Sequence, residues 1–491
     1  MSRSLIDLCL GQRSAPSRTL SRRQLLQVGL AAGAGLLSGR SLVASSHLAR
    51  PRILVIGAGF SGLACAYELT QAGYETKVLE ARGRVGGRVI SLKDLIPGKI
   101  VEGGAEMLGS NHPHALAYAA RFGLKFRDVI RDEAPSPVVL NGNRLTNDDV
   151  ARISKEVSVA LTRMTDDARS VVADEPWKTP DAVRLDQTST GDWIGRQEIW
   201  ALAKALLAAQ LTATNGVAVA RQSYLGNLSQ VRGGGLEKYW TDTEVYRLQG
   251  GNQQYAERFA AELGQDRIHL NCPVKEITIN DGGVVVIDKE GQKHQADEVV
   301  LAVPPSVWPQ IQFTPGLPEA LKPQMGFNVK FLAVVKEPIW RRLGLSSNAV
   351  TDLDLAQTWE GTDGQGEAGP MALVAFSGGP AAEANHRRAV AERQPTYLRM
   401  LESLYPGFSA QFIKGRFMDW IGDSWTKGGY SFPAPGQVTT MGPAVRAGRG
   451  RLHFAGEHTC YQFVGYMEGA LRAGASLAKR LALRDGVITR P

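Results

Sequence analysis

One stretch near the start of the chain limits its fold more than any other, because it joins a strand, a glycine-rich turn, a helix and a second strand. It reads "RILVIGAGFSGLACAYELTQAGYETKVLEARGRVGGRV" and runs from Arg52 to Val89. Its key parts, in order, are a buried strand at 53–56, Gly57, Gly59, Gly62, a strand at 77–79 and Glu80. The glycines allow a tight turn, close approach of a pyrophosphate and close packing of helix on strand, and the acid binds ribose hydroxyls. The sequence therefore predicts a dinucleotide site in an α/β fold.

Two further glycine pairs follow this unit. "RGRVGGRV" contains Gly86, Gly87 and Arg88, and "VEGGAEM" contains Gly103 and Gly104. Paired glycines let a large ligand approach the backbone, and an arginine beside them can neutralise phosphate. Either pair alone is equally typical of a turn. Together, after the first motif, they favour a flavin dinucleotide over a nicotinamide one.

Five motifs give the chain a family resemblance. "GAGFSGLACAYELTQAG", "LEARGRVGGRV" and "VEGGAEM" near the N-terminus, with "LHFAGEHT" and "GYMEGAL" near the C-terminus, resemble the flavin-containing amine oxidases. That family includes monoamine, polyamine and L-amino acid oxidases. "RLQGGNQQYAERFA", "CPVKEI" and "ADEVVLAVPPSVW" extend the resemblance through the middle, to about residues 51–484.

The resemblance implies FAD as the cofactor. It implies that the backbone of Val274 meets the adenine, Glu457 holds the polyol chain or phosphates, and Trp425 lines the flavin. The N-terminus of a helix near Met467 would face the pyrimidine edge of the flavin, where negative charge builds on reduction. Monoamine oxidases bond flavin through a cysteine at the position of Gly429, so we expect non-covalent FAD here. The predicted cofactor-binding residues are Gly57, Gly59, Gly62, Glu80, Arg82, Gly87, Arg88, Gly104, Ala105, Glu106, Val274, Trp425, Glu457 and Met467.

Three residues are the predicted catalytic set. Lys330 interrupts the apolar run "MGFNVKFLAVV", and the pattern alone favours an edge lysine whose stem lies along apolar surface. The resemblance instead implies a buried lysine that contacts flavin N5 through water and assists reaction with molecular oxygen. It also implies that Tyr430 and Tyr466 flank the substrate amine, although both rings could simply be core aromatics.

The substrate is less constrained than the cofactor. Many L-amino acid oxidases carry an arginine for the substrate carboxylate where this chain has Met107. Glu106 beside it could attract a cation or accept bonds from backbone amides. The chain most resembles secreted bacterial and cyanobacterial L-amino acid oxidases, which implies oxidation of L-amino acids, including basic ones, to 2-oxo acids, ammonia and hydrogen peroxide. The alternatives are a mono- or polyamine oxidase, a dehydrogenase with another electron acceptor, and a redox-inert flavin-binding protein.

The first 49 residues predict an export signal. "SRRQLLQ" places Arg22 and Arg23 before the apolar run 25–37, which is typical of the twin-arginine route, although a basic tail would share these features. This segment carries +5 of the net charge of +8, so the remainder lacks the basic footprint of a nucleic-acid-binding protein. We expect a periplasmic or secreted protein without a membrane span. The cysteines Cys9, Cys65, Cys272 and Cys460 show no metal-ligand spacing, so no metal site is predicted. The sequence leaves open whether the protein forms a homodimer.

These observations predict a composite architecture. The predicted segments are a signal at 1–49, a Rossmann-like FAD domain from 51–105, 247–310 and 440–485, a mainly helical segment at 106–246, and a substrate-binding sheet domain at 311–439. Amphipathic patterns predict helices over Asp148–Val172 and Asp192–Ala213. Turn residues predict hairpins at Asn141–Gly142 and around Gly291.

Overall fold

The computed structural model describes residues 50–130 and 133–488. The predicted export signal, with Cys9, lies outside these residues. The strands are β1 (Arg52–Ile56), β2 (Glu75–Leu79), β3 (Ser91–Ile96), β4 (Lys99–Glu102), β5 (Phe126–Asp128), β6 (Val138–Leu140), β7 (Asn143–Arg144), β8 (Tyr246–Leu248), β9 (Ile268–His269), β10 (Val274–Asn280), β11 (Gly283–Asp288), β12 (Lys293–Ala296), β13 (Glu298–Leu301), β14 (Gln312–Thr314), β15 (Asn328–Val335), β16 (Val350–Thr351), β17 (Gln357–Glu360), β18 (Met371–Gly378), β19 (Phe412–Asp419) and β20 (Leu452–Phe454).

Helices connect and cover these strands. The α-helices are α1 (Phe60–Gln71), α2 (Pro113–Phe122), α3 (Asn147–Ala168), α4 (Ala182–Gln187), α5 (Thr190–Gly195), α6 (Ala201–Asn215), α7 (Tyr224–Gly233), α8 (Glu237–Asp242), α9 (Gln254–Leu263), α10 (Ile339–Arg342), α11 (Pro380–Arg387), α12 (Val390–Leu404), α13 (Phe408–Gln411), α14 (Gln437–Ala447) and α15 (Met467–Arg484). The 3-10 helices are Pro176–Lys178, Val219–Arg221, Gln265–Arg267, Pro305–Gln310, Glu457–Thr459 and Tyr461–Phe463.

A five-stranded parallel sheet forms the base of the cofactor region. Its order is β20-β13-β1-β2-β9, so the chain leaves β1 towards β2 on one side and later pairs β13 on the other. The order therefore reverses between β1 and β13, where ligands bind beyond the carboxyl ends of strands in such sheets. Gly57, Glu80 and Ala302 directly follow three of these strands, which brings distant parts of the sequence to one edge.

The first and last helices pack against each other at very short range. A Cβ atom built on Gly474 of α15 would lie 2.1 Å from the carbonyl oxygen of Ser61 and 2.8 Å from the backbone nitrogen of Cys65. Glycine at this position lets the two backbones touch. This contact fastens the C-terminal helix beside the glycine-rich turn, and Cys65 is fully buried against it, as the sequence predicted.

Lys330 lies on an interior strand of a seven-stranded sheet, ordered β19-β15-β18-β17-β16-β6-β7. Its strand, β15, pairs along its whole length with β18 and β19, and every residue in it is buried. The side chains of Leu332 and Val334 share a face with Lys330 and pack against the β3–β4 hairpin. The interpretation of Lys330 as an edge lysine is therefore wrong.

The structure confirms some predictions made from local sequence and contradicts another. The hairpin turns at Asn141–Gly142 and around Gly291 are confirmed, and α3 confirms the first amphipathic helix. The helix predicted over Asp192–Ala213 is wrong, because the chain leaves helical geometry after Gly195 and α6 begins only at Ala201.

The domain division stays a prediction, and in the described part of the chain three strand pairings cross it, one of them between β5 and β8. The β6–β7 hairpin, from the mainly helical segment, joins the seven-stranded sheet, and β14 pairs with β10 in a four-stranded sheet, β12-β11-β10-β14. Within the described residues, no helix is both long and apolar enough to cross a bilayer.

Gly474→Ala should destabilise the protein, because its methyl group would press on the backbone of α1. We expect the free energy of unfolding to fall by about 1 to 3 kcal/mol, as in other overpacked interiors. Gly195→Ala is the control, since a Cβ atom there meets open space and the backbone is not left-handed. Thermal unfolding of both variants measures the difference, and equal melting temperatures would contradict the contact.

Candidate active site

A cavity of about 600 Å³ opens at the carboxyl edge of the parallel sheet and continues to the seven-stranded sheet. Of the predicted site residues, the following line it: Gly57, Gly59, Glu80, Arg82, Gly87, Arg88, Gly104, Ala105, Glu106, Val274, Lys330, Trp425, Tyr430, Glu457, Tyr466 and Met467. Gly62 lies beneath the glycine-rich turn instead. Sequence reasoning thus gathered residues from six separate stretches that the fold brings to one cavity.

The glycine-rich turn has a geometry that lets a ligand contact its main chain. Gly57 has φ +106°, a conformation that L side chains rarely adopt. A Cβ atom on Gly62 would lie 2.0 Å from the carbonyl oxygen of Gly57, whereas one on Gly59 would meet no atom within 4 Å. The first and third glycines therefore shape the turn, and the second keeps open the space that a pyrophosphate would occupy.

Glu80 and Arg82 continue this end of the cavity. The Glu80 carboxylate accepts hydrogen bonds from the backbone nitrogens of Ala58 (2.7 Å) and Arg82 (2.8 Å). Burial raises the Glu80 pKa above its usual value, despite these two bonds. The Arg82 guanidinium binds both carboxylate oxygens of Asp423, at 2.8 and 2.5 Å, which fixes its position beside the phosphate space.

Glu457 organises the centre of the cavity. Its two oxygens accept four bonds: from Arg88 Nη1 at 2.8 Å, from the Ser431 backbone nitrogen at 3.1 Å and hydroxyl at 2.6 Å, and from the Gly465 nitrogen at 2.8 Å. Burial alone would raise its pKa, but Arg88 and the other donors outweigh burial and hold the pKa below its usual range. Direct contact of Glu457 with the polyol chain or phosphates stays a prediction.

The second glycine pair approaches a tryptophan that sequence reasoning missed. Trp420 donates its indole N–H to the carbonyl of Gly103 at 3.1 Å, and a Cβ atom on Gly104 would lie 3.1 Å from its ring. Trp425, the predicted flavin contact, also lines the cavity, but its ring stacks under Lys289, 4.7 Å away. Trp425 therefore lies at the Val274 end, and Trp420 is the tryptophan beside the glycine pair.

The C-terminal helix begins at Met467, as predicted, with Tyr466 as its N-cap. No side chain caps this end, so its first N–H groups face the cavity side without an intrahelical partner. Glu468 points away, and its carboxylate accepts bonds from the backbone nitrogens of His114 (3.1 Å) and Ala115 (2.9 Å) and contacts His114 Nδ1 at 2.8 Å. Glu468 thus ties α15 to the start of α2.

Lys330 belongs to a buried charge network. Its Nζ atom donates to Glu106 Oε2 at 2.7 Å, to the Gly104 carbonyl at 2.8 Å and to the Glu102 carbonyl at 3.3 Å. Glu106 also accepts two bonds from Arg247. Burial would raise the Glu106 pKa, but Lys330 and Arg247 hold it below its usual range. The interpretation that Glu106 bonds backbone amides is therefore wrong, because its partners are side chains.

The network extends to residues that the sequence analysis did not assign to the site. Arg247 also binds Asp363 and the Glu360 carbonyl, and Trp359 donates its indole N–H to Glu106 at 2.9 Å. Each of these contacts joins two residues more than 100 positions apart along the chain, so no local pattern could join them. The sequence held one signal for this network, namely two charged residues in stretches expected to be buried: a lysine in an apolar strand and an acid after a glycine pair.

Tyr430 and Tyr466 come together at the wall of the same cavity. Gly465, which precedes Tyr466, packs against the Tyr430 ring, 3.1 Å from its ideal Cβ position. The Tyr430 hydroxyl donates to the Thr214 carbonyl at 2.6 Å, and the Tyr466 hydroxyl lies 3.3 Å from that of Tyr239. Burial raises the pKa of both tyrosines, so each keeps its proton at neutral pH. Their catalytic role stays a prediction.

The cavity residues fit FAD. The space over Gly59, the buried carboxylate of Glu80 and the open helix end at Met467 all belong to one cavity. When bound, FAD supplies the acceptor for a hydride equivalent from the carbon that carries an amine. A Cβ atom on Gly429 would lie 1.8 Å from Asn328 Oδ1, so the linking cysteine of monoamine oxidases would fit there only if the Asn328 side chain moved.

Comparison with known proteins agrees with this geometry. The profile of the family described as flavin containing amine oxidoreductase matches residues 60–482. A Mycobacterium tuberculosis protein, whose name places it among flavin-containing monoamine oxidases, is 30% identical over 446 residues, or 88% of this chain and 96% of that protein. The L-amino acid dehydrogenase of a Synechocystis strain is 28% identical over 460 residues, or 87% and 94% of the two chains. The structure of wild-type putrescine oxidase bound to putrescine matches with a TM-score of 0.79 and 27% identity, over 89% of this chain and 99% of that one.

The fold and the cavity together define an FAD-dependent amine oxidoreductase with an α/β architecture, in which the FAD is bound without a covalent link. The family match covers most of the chain, including both glycine pairs and the C-terminal helix. The chain therefore belongs to the flavin-containing amine oxidoreductase family.

Glu102, beside this network, should make stability depend on pH. Burial raises its pKa from 4.5 to about 7, and Glu106 adds to the effect. Because the folded pKa is the higher one, its stabilising contribution is complete below pH 4.5 and is lost as the pH rises through about 7. Glu102→Gln cannot ionise, so relative to the unmodified protein it should gain about 1 to 3 kcal/mol of stability between pH 5 and pH 8.

Thermal unfolding at the two pH values measures this gain. Glu257→Gln is the control, since Glu257 is exposed on α9, and its melting temperature should differ from that of the unmodified protein equally at both pH values. A Glu102→Gln variant that behaves like this control would show that Glu102 is ionised throughout.

Proposed function

We propose that this protein oxidises basic L-amino acids, such as arginine and lysine, to 2-oxo acids with release of ammonia and hydrogen peroxide. One observation carries the proposal: the wall beyond Lys330 combines an accessible arginine with several carboxylates. A basic L-amino acid offers an α-carboxylate to the former and a side-chain cation to the latter. We also propose that Arg22 and Arg23 direct export through the twin-arginine route.

Arg341 is our candidate for the carboxylate anchor that Met107 does not supply. Among the residues that the structure describes, two arginines line this end of the cavity, but the Arg247 guanidinium is buried and already bound by Glu106 and Asp363. The Arg341 side chain is 44% exposed and contacts Glu360 at 3.0 Å and Glu367 at 3.7 Å. A guanidinium with accessible N–H groups can bind a substrate carboxylate in two-pronged fashion.

Glu244 is the candidate partner for the substrate's side-chain cation. It lines the same cavity, and its charge raises the pKa of Tyr239, Tyr430 and Tyr466, after the effect of burial. One carboxylate therefore acts on the tyrosine pair expected to hold the amine. Glu133 and Glu367 add negative charge to the cavity wall. Such a field attracts cations and disfavours plain acidic substrates.

The chain's own groups would prepare the amine for oxidation. The tyrosine rings would orient the amine through their electron-rich faces, and their buried hydroxyls stay protonated. The apolar surroundings would favour the neutral amine, whose lone pair assists departure of the hydride equivalent. Glu106, held ionised by two cations, keeps Lys330 in place beside Gly104.

Arg341→Met should separate substrates that have a carboxylate from those that lack one. We expect the KM for L-arginine and L-lysine to rise about 10- to 100-fold, because a charge-assisted contact is lost. The KM for agmatine and cadaverine, if they react, should change little. Initial rates with these matched pairs measure the effect.

Arg342→Met is the matched control, because Arg342 is the neighbouring residue, contacts Glu337 and does not line the cavity. Equal loss with acids and amines, or no loss with either, would rule out Arg341 as the anchor.

A mono- or polyamine oxidase is the second candidate. Met107 favours it, because the position that carries an arginine in many L-amino acid oxidases is uncharged here. The similarity to putrescine oxidase also supports it. Turnover of cadaverine, putrescine or tyramine, without turnover of any L-amino acid, would establish this alternative.

The electron acceptor is the other open choice, and the similarity to an L-amino acid dehydrogenase favours an acceptor besides oxygen. If Lys330 assists the reaction with oxygen, its replacement distinguishes an oxidase from a dehydrogenase. For an oxidase, Lys330→Met should slow reoxidation of reduced flavin by air at least about tenfold, because an oriented charge is lost. Anaerobic bleaching by substrate should change less.

Stopped-flow absorbance at the flavin band separates the two half-reactions. Lys336→Met is the control, since Lys336 is exposed at the end of the same strand. Slow reoxidation that is the same in all three proteins would favour a dehydrogenase.

A further inference from the structure

Three metal-ligating side chains meet away from the substrate end of the cavity. Cys272 precedes β10, Asp288 ends β11 and His294 lies in β12, so a single β-meander gathers them. Cys272 Sγ lies 3.4 Å from Asp288 Oδ2 and 3.8 Å from His294 Nε2, and that nitrogen lies 2.9 Å from Asp288 Oδ2. The cluster is nearly closed to solvent, with 10% of the His294 side chain and 4% of the Asp288 side chain exposed.

These separations suit a single tetrahedral ion. With Zn–S of about 2.3 Å and Zn–N and Zn–O of about 2.0 to 2.1 Å, tetrahedral ligand atoms lie about 3.3 to 3.6 Å apart. The three observed distances bracket that range, so shifts of a few tenths of an ångström would place all three atoms on one ion. A thiolate, an imidazole and a carboxylate are the donors that zinc and its neighbours in the first transition row prefer.

We propose that Cys272, Asp288 and His294 bind one divalent transition-metal ion of the zinc type. On binding, the thiol loses its proton to solvent and the ion replaces the contact between His294 and Asp288. Thiolate, carboxylate and neutral imidazole then balance the charge of a divalent ion. A water molecule completes the fourth position. The imidazole of His269 is the next nearby donor, with its ring centroid 6.2 Å from that of His294.

The site has a structural consequence at the cofactor. The Cys272 backbone nitrogen donates to the carbonyl of Glu80 at 2.8 Å, and Val274, two residues later, lines the cavity. An ion here would fasten the β10–β12 meander to the carboxyl end of β2. It would stabilise this end of the fold without entering the oxidation itself, so the proposal stands apart from the choice of substrate.

Cobalt(II) tests the site, because its tetrahedral complexes with sulfur ligands absorb in the red, beyond the flavin bands. Titration of the full-length holoenzyme, first treated with chelator, should give such bands that saturate at one equivalent. Zinc should abolish them. Cys272→Ser should remove the sulfur-dependent absorption, while Cys460→Ser, which changes a buried cysteine outside the cluster, should leave it intact.

Asp288→Asn and His294→Gln keep the test decisive if Cys272→Ser fails to fold, and each should weaken cobalt binding at least about tenfold. Flavin content and melting temperature of each variant, without metal, check its fold. Two results would overturn the proposal: no red absorption at one equivalent of cobalt, or bands that persist unchanged in all three cluster variants.

Discussion

The Lys330 end of the cavity depends on one interaction, in which two buried cations, Lys330 and Arg247, bind the Glu106 carboxylate. Lys330 and Arg247 come from different sheets, and both would be costly to bury without a shared anion. Removing one partner of such a buried pair typically costs about 3 to 5 kcal/mol. The same carboxylate thus joins the segment after the second glycine pair, strand β15 of the seven-stranded sheet and strand β8, whose Arg247 lines the cavity.

Around the glycine-rich turn, close backbone contacts hold the helices and strands together. Gly57, Gly62 and Gly474 each lie where a Cβ atom would meet a neighbouring backbone or side-chain atom at 3.0 Å or less. These contacts hold the first helix against its own turn and the last helix against the first. The carboxyl edge of the parallel sheet, and with it the open helix end at Met467, is therefore positioned by three glycines from both ends of the chain.

The sequence predicted the parts of the site that depend on local chemistry. Glycine turns, the acid after β2 and the start of α15 each carry their own signal within a few residues, and the cavity contains all of them. It missed Arg247, Asp363, Trp359 and Trp420, because each acts through a partner more than 100 residues away along the chain. It also missed the grouping of Cys272, Asp288 and His294, since only the pairing of β11 with β10 and β12 sets their spacing.

If Lys330 assists the reaction with oxygen, as proposed, its hydrogen bonds limit how it can do so. An ammonium group has three N–H donors, and here Glu106, Gly104 and Glu102 accept all three. A lysine that also holds a water molecule near flavin must release one of them, and the bond to Glu102, at 3.3 Å, is the longest. The strength of that single contact would then govern how readily the lysine serves oxygen.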